Sequence, residues 1–223
     1  MTKINIVINS NKKFTKALEH LLQSLKKCEE YNNYNIIVVI GGYYELDSYV
    51  ISNDRNIMYI KANHNSIDFT GLISILENIE LFNCTHFFYM HDTCAVGEKF
   101  LKILNDVDIY SVTTYKIKLR SSMNIGIYST QIIKKFETFL LSVKNFHEDN
   151  CKLFKVKGIK LEDYIFKNDK NNKVLNNPSG EHISQSKPVD YYNTGTKRII
   201  EYYDGIDLYK IKANWDCFRT LNL

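Results

Sequence analysis

Thr85-His86-Phe87-Phe88-Tyr89-Met90-His91-Asp92-Thr93-Cys94 is an apolar, aromatic run that ends in a polar cluster with an acid at its centre. A short apolar run of this kind is the signature of a buried strand, and strands covered on both faces belong to parallel sheets. In an open α/β sheet, ligands bind outside the carboxyl ends of the strands. Asp92 is therefore the first candidate for a metal or phosphate site. The competing account is that Asp92 caps a helix starting near Val96, or pairs with a lysine.

The same signals recur on both sides of this strand. Upstream, Ile4 to Ile8 is apolar and is closed by Asn9-Ser10-Asn11. Phe14, Leu18, Leu21, Leu22 and Leu25 then repeat at helical spacing. Residues 35–40 are almost all β-branched and stop at Gly41-Gly42, and residues 56–60 form a third apolar strand. Ser66 is placed to cap a helix carrying Leu72, Ile75, Leu76 and Ile79. Downstream, residues 96–104 read as a helix and residues 107–113 as a strand. The order is β-α-β-(α)-β-α-β-α-β, the bracketed helix standing between the second and third strands. It predicts an α/β fold with a mostly parallel central sheet flanked by helices.

The second half is less regular. Residues 116–129 hold two short alternating segments, residues 132–143 a helix and residues 160–166 another. Residues 191–203 and 208–211 read as strand or tail segments. One domain over residues 1–223 is expected, with a functional boundary near residue 115.

Bulk properties narrow the class. The chain has 223 residues, 44% hydrophobic and 24% charged, enough for a substantial core. Net charge is +4, with lysines spread along the chain, so no nucleic-acid partner is expected. The five cysteines (28, 84, 94, 151 and 217) include no Cys-x-x-Cys pair, which argues against structural zinc. No apolar run approaches the ~18 residues of a membrane span, and residues 1–4 lead straight into a strand without a signal-peptide core. A cytoplasmic location is expected. No P-loop, Gly-x-Gly-x-x-Gly after a strand or Gly-x-Ser-x-Gly occurs.

With the acid-containing turn after the fourth strand, the order of elements resembles the nucleotide-sugar-binding half of GT-A glycosyltransferases. That family carries Asp-x-Asp here, holding Mn²⁺ or Mg²⁺ on the donor diphosphate. In this chain His91-Asp92-Thr93 offers one acid, one imidazole and one hydroxyl. A second similarity lies downstream. Residues 158–164, Gly-Ile-Lys-Leu-Glu-Asp-Tyr, resemble the Glu-Asp motif of inverting members. There the acid is the general base at the acceptor, which assigns that role to Asp163 beside Glu162. An acid in the first turn of a helix is also favoured by the helix dipole alone.

The resemblance implies further contacts. Asn9 and Ser10 fall where the family meets the nucleoside, and Gly42 and Tyr44 where an aromatic stacks on the base. Residues 63–71 resemble the loop passing the nucleotide, which brings in Asn63 and Asp68. Residues 124–126 resemble the acceptor-side strand. Arg198, with Lys197, is expected to face the leaving diphosphate, and His182 is a late candidate metal ligand. Trp215, the single tryptophan, is either a sugar-stacking ring or a core residue.

The expected activity is transfer of a sugar from a UDP-sugar to an acceptor hydroxyl on a glycan or glycoprotein, with inversion and divalent-metal assistance. Residues 1–115 are the donor-binding half and residues 116–223 the acceptor-side half. In size and composition the chain is similar to the small glycosyltransferases of large DNA viruses, which would place it in a host cytoplasm or a virion. The rival classes are a non-catalytic nucleotide- or sugar-binding module of the same fold and a nucleotidyltransferase. The latter normally has a glycine-rich basic loop after its first strand, where residues 9–13 contain no glycine.

Overall fold

The computed structural model describes residues 4–13, 15–109, 114–116, 125–144, 172–174, 183–184 and 198–213. The apolar runs become the centre of one sheet. These strands are β1 (Ile4–Asn11), β2 (Ile36–Gly41), β4 (Ile57–Lys61) and β5 (His86–His91). They lie side by side, all parallel, in the order β4-β2-β1-β5. Antiparallel strands extend both sides. β3 (Val50–Asp54) pairs with β4, and β8 (Gly126–Ser129) pairs with β5. Beyond β8 come β7 (Thr114–Lys116) and β9 (Asn172–Val174). The sheet is thus mixed, with a parallel core.

Side-chain alternation divides the core between the two faces. Ile4, Ile6, Ile8, Phe88 and Met90 pack with α1 (Thr15–Leu25) and α3 (Phe100–Asn105). Val7, Phe87 and Tyr89 face the other way. They pack with α2 (Thr70–Glu77), α4 (Thr130–Lys135) and α5 (Glu137–Leu141). Helices on both faces explain why these strands read as continuous apolar runs. In α1, Leu18, Leu21 and Leu25 are buried, as the spacing predicted, while Leu22 is half-buried and Ala17 joins the buried face.

Three expectations fail locally. The helix expected between the second and third strands is absent. Residues 50–54 instead form β3, turned onto β4 through Arg55 at φ 55°. Every residue of β3 is exposed, so no hydrophobic period marks it. The helix expected over 96–104 begins later, because Cys94–Val96 is a strand, β6. Residues 107–109 are not strand; the next described strand is β7. In addition, Ser66 does not cap α2. Its hydroxyl donates to the Lys144 carbonyl at 2.7 Å, while Asn65 Oδ1 accepts from the Ile67 N–H at 3.0 Å. The helix expected over 160–166 lies outside the described residues.

β6 belongs to a second, antiparallel sheet of order β10-β11-β12-β6. The others are β10 (Ile183–Ser184), β11 (Arg198–Tyr203) and β12 (Leu208–Ala213). The chain leaves the large sheet at His91, turns at Asp92-Thr93 and enters the small sheet at Cys94. The turn that drew attention in the sequence is therefore the junction between the two sheets.

Candidate functional site

The parallel strands all deliver their carboxyl ends to one edge. β1 is flanked by β2 on one side and β5 on the other, so the strand order reverses between β1 and β5. Such a switch point opens a crevice suited to a ligand. Ser10 is the last residue but one of β1 there, before Asn11, and its hydroxyl donates to Asp92 Oδ2 at 2.8 Å. The Asp92 N–H donates to the Asn9 carbonyl at 2.9 Å, which fixes the turn to β1. Both side chains are buried.

Asn9 ties two segments of the edge together. Its Nδ2 donates to the Ile67 carbonyl at 2.9 Å, and its Oδ1 accepts from the Gly71 N–H at 2.7 Å. The amide thereby clamps residues 67–71 against the sheet edge. Asp68 is held in this clamped segment, its carbonyl accepting from the Tyr89 hydroxyl at 2.8 Å. Its carboxylate lies 3.5 Å from His91 Nδ1 and is 39% exposed. A second acid thus stands beside the turn, supplied by the loop before α2.

His91 is buried, and among the described residues its Nε2 has no hydrogen-bond partner. Burial pushes its pKa down to about 4; Asp68 opposes the shift and the Lys210 ammonium adds to it. The ring is neutral near pH 7. The loop carries a second buried histidine. His64 contacts the Tyr49 hydroxyl at 3.0 Å and Ser66 Oγ at 3.2 Å, and burial lowers its pKa to about 4. Tyr49 donates onward to Glu77, which also accepts from Lys144 Nζ at 2.5 Å.

At the end of β2, Gly42 is buried at φ 94°, and its N–H donates to the His64 carbonyl at 3.0 Å. That backbone conformation favours glycine. Tyr44 is 47% exposed. Its neighbour Tyr43 is the half-buried ring, with the Lys12 and Lys61 ammoniums each 5.3 Å from its centroid. The sequence Gly-Gly-Tyr-Tyr contains both rings and gives no sign of which is held. Asn63 Nδ2 donates to the Asp47 carbonyl at 3.2 Å, tying the loop to the segment after β2.

Lys210 was not singled out from the sequence. It lies on β12, opposite Cys94 of β6. Its ammonium donates to Thr93 Oγ1 at 2.7 Å, and the Ile211 N–H donates to the Thr93 carbonyl at 2.8 Å. The lysine is 8% exposed. The one signal was a lysine set within the apolar strand Leu208-Tyr209-Lys210-Ile211. Arg198 opens β11 opposite Ala213. Asp163, Glu162, His182 and Lys197 lie outside the described residues.

For the divalent cation that the resemblance implies, the described residues offer the Asp92 carboxylate, with the Asp68 carboxylate on the loop beside it. Hard cations take several oxygen ligands. Here Asp92 Oδ2 already accepts the Ser10 hydroxyl, and Thr93 Oγ1 faces an ammonium. Among the described residues, no group of three His, Cys, Asp or Glu side chains is spaced to hold a metal.

No protein-family model matches the chain, and no curated protein matches it. Several solved structures show a distant likeness. Apo glycosyltransferase GlyE of Streptococcus pneumoniae TIGR4 aligns at 10% identity and a TM-score of 0.49. The match covers 78% of this chain and 45% of that one, so this chain spans less than half of GlyE's length. The galactosyltransferase LgtC, in complex with donor and acceptor sugar analogues, aligns at 12% identity and a TM-score of 0.49, over 78% of this chain and 73% of that one. A glycosyltransferase involved in glycosylation of the major capsid of PBCV-1 aligns at 13% identity and a TM-score of 0.43, over 76% and 81%.

Proposed function

We propose that this chain transfers a sugar from a nucleotide-sugar donor, a UDP-sugar, to an acceptor hydroxyl. The observation that carries the reading is the Ser10–Asp92 hydrogen bond at the switch point between β1 and β5. It places a carboxylate at the crevice mouth, with the 62–71 loop clamped alongside by Asn9. The short Asp92 turn and the downstream Glu162-Asp163 pair support the same assignment from the sequence.

The nucleotide lies across the carboxyl ends of β1, β2 and β4. Gly42 gives close backbone approach there, and the Tyr43-Tyr44 pair offers a ring to the base. Asp68 faces the ribose, and the diphosphate reaches the Asp92-Thr93 turn. Asp163 takes the proton of the acceptor hydroxyl as its oxygen bonds to the anomeric carbon. The bond from that carbon to the diphosphate breaks, the electron pair leaves with UDP, and the anomeric configuration inverts.

The test is incubation with a panel of UDP-sugars while UDP release is measured. Wild type is expected to release UDP slowly to water and faster with an accepted glycan. Asp92→Ala should remove most donor binding. Asp163→Asn should leave UDP binding near wild type and lower transfer by ~10²-fold. Nucleotide binding without turnover on any acceptor would favour a binding module. Absence of any UDP-sugar binding would overturn the reading.

A further inference from the structure

β3 is an open edge of the large sheet. It pairs with β4 on one side and ends the strand order on the other. Alternate residues of such a strand aim their N–H and carbonyl groups away from the neighbour, so the outer side is a row of unused donors and acceptors. Natural edges are blunted by lysine, proline or a bulge. Val50-Ile51-Ser52-Asn53-Asp54 contains neither lysine nor proline, and it pairs with β4 through all five residues without a bulge. Its one charge, Asp54, stands at the turn into β4. All five residues are exposed, Val50 by 43% and Ile51 by 37%. Ile51 stands opposite Ile60, a buried core residue on the α2 side, so the apolar surface of that side continues outward to the edge. Opposite charges flank the strand. Asp47 lies before it and Arg55 after it, both exposed. Among the described residues neither forms an ion pair, whereas Glu45 is taken by Lys12.

We propose that β3 is a self-association surface whose partner is β3 of a second copy of this chain. The two strands run antiparallel about a two-fold axis at Ile51. Side chains that meet across paired strands share a face, so only alternate registers are open. Centring on Ser52 would set the Asp54 carboxylate against an apolar Val50. Centring on Ile51 sets that side chain against its own copy and Val50 against Ser52, and it brings Arg55 of each copy to Asp47 of the other. The two-fold uses both edges at once, so the assembly closes at two copies. Its axis stands perpendicular to the sheet. The large sheets of the two copies merge into one, and their carboxyl-end crevices point in opposite directions along the strands. A five-residue edge is small for an interface, so the dimer is concentration-dependent. The proposal does not depend on the glycosyl-transfer reading.

Sedimentation velocity of the full chain from about 1 µM to about 500 µM measures the association. Wild type is expected to pass from monomer to dimer over that range and to grow no further. Ile51→Lys sets two ammonium groups face to face at the axis and should keep the chain monomeric. Asp47→Arg and Arg55→Asp should each weaken association by ~10-fold or more, because each turns two attractions into two repulsions. Combined in one chain, the two substitutions should return association to within ~3-fold of wild type. A monomer across the whole range overturns the proposal and leaves the edge to a strand of another protein. Growth beyond the dimer overturns the closed two-fold. A dimer that Ile51→Lys leaves intact, or charge reversals that fail to rescue one another, overturn this surface. The charge reversals decide even if Ile51→Lys does not fold.

Discussion

A methyl group added to Gly71 would lie 2.7 Å from Tyr89 Cε2, 2.9 Å from the Tyr89 hydroxyl and 3.2 Å from Asn9 Oδ1. The Tyr89 ring is fully buried and cannot swing aside, and Asn9 is committed to the Gly71 N–H. Alanine is intrinsically the better helix residue by ~1 kcal/mol, so propensity alone would favour the change. The clash works against it, and overpacking of this kind costs ~1–3 kcal/mol. Gly71→Ala is therefore expected to lower the urea midpoint and weaken UDP binding together, since the clamp on residues 67–71 loosens. A stabilised variant would show that the loop has room the packing denies. At this scale Asp92 was legible because an apolar run ended on it. Lys210 was not, because its meaning depends on a neighbour remote in sequence.

The β11–β12 hairpin is anchored by Asp207, whose backbone is left-handed at φ 53°. Its carboxylate accepts from the Tyr202 hydroxyl at 2.9 Å and from the Lys99 N–H, next to α3, at 3.0 Å. Its carbonyl accepts from the Gly97 N–H at 2.8 Å. This residue joins the small sheet to the start of α3. Asp207→Ala loses two accepted bonds and leaves a β-carbon in strained backbone, a loss of ~1–3 kcal/mol. Asp207→Asn keeps an acceptor and tolerates the left-handed region, so it should lose least. Melting temperatures ranked Asn, then Gly, then Ala would support this anchor; equal losses would count against it. Elements were legible where burial imposed a period. β1, β2, β5 and α1 all carry that imprint. β3, fully exposed, carries none. β6 was missed, and its last residue, Val96, was taken for the start of a helix, because three residues are too few to show alternation.

At the scale of the molecule, two buried histidines among the described residues contribute to the response to acid. Their folded pKa values of about 4 lie below the unfolded value of about 6.5. Between those limits the unfolded chain binds more protons than the folded one, so stability rises with pH. This contribution is complete above pH ~6.5 and is lost as pH falls toward 4, by at most ~3 kcal/mol per histidine. Melting temperature should climb over that interval and level off above it. A double His64→Gln, His91→Gln variant should flatten the climb, and an equally steep profile in that variant would exclude these two groups as the cause. The α/β class itself was legible from alternating strands and helices. The antiparallel flanks of the sheet were not, since strand direction depends on connections the local pattern does not encode.

Thr93 and Lys210 are separated by 117 positions in the chain. During synthesis the carboxylate turn leaves the ribosome long before the strand that brings the ammonium. Contacts so far apart in sequence form late, after the entropy of closing a long loop has been overcome. The large sheet is thus able to fold around Asp92 before β12 pairs with β6. A nascent chain stalled before residue 208 would hold the Asp92 turn without the Lys210–Thr93 contact. The turn is closed only when β12 docks on β6.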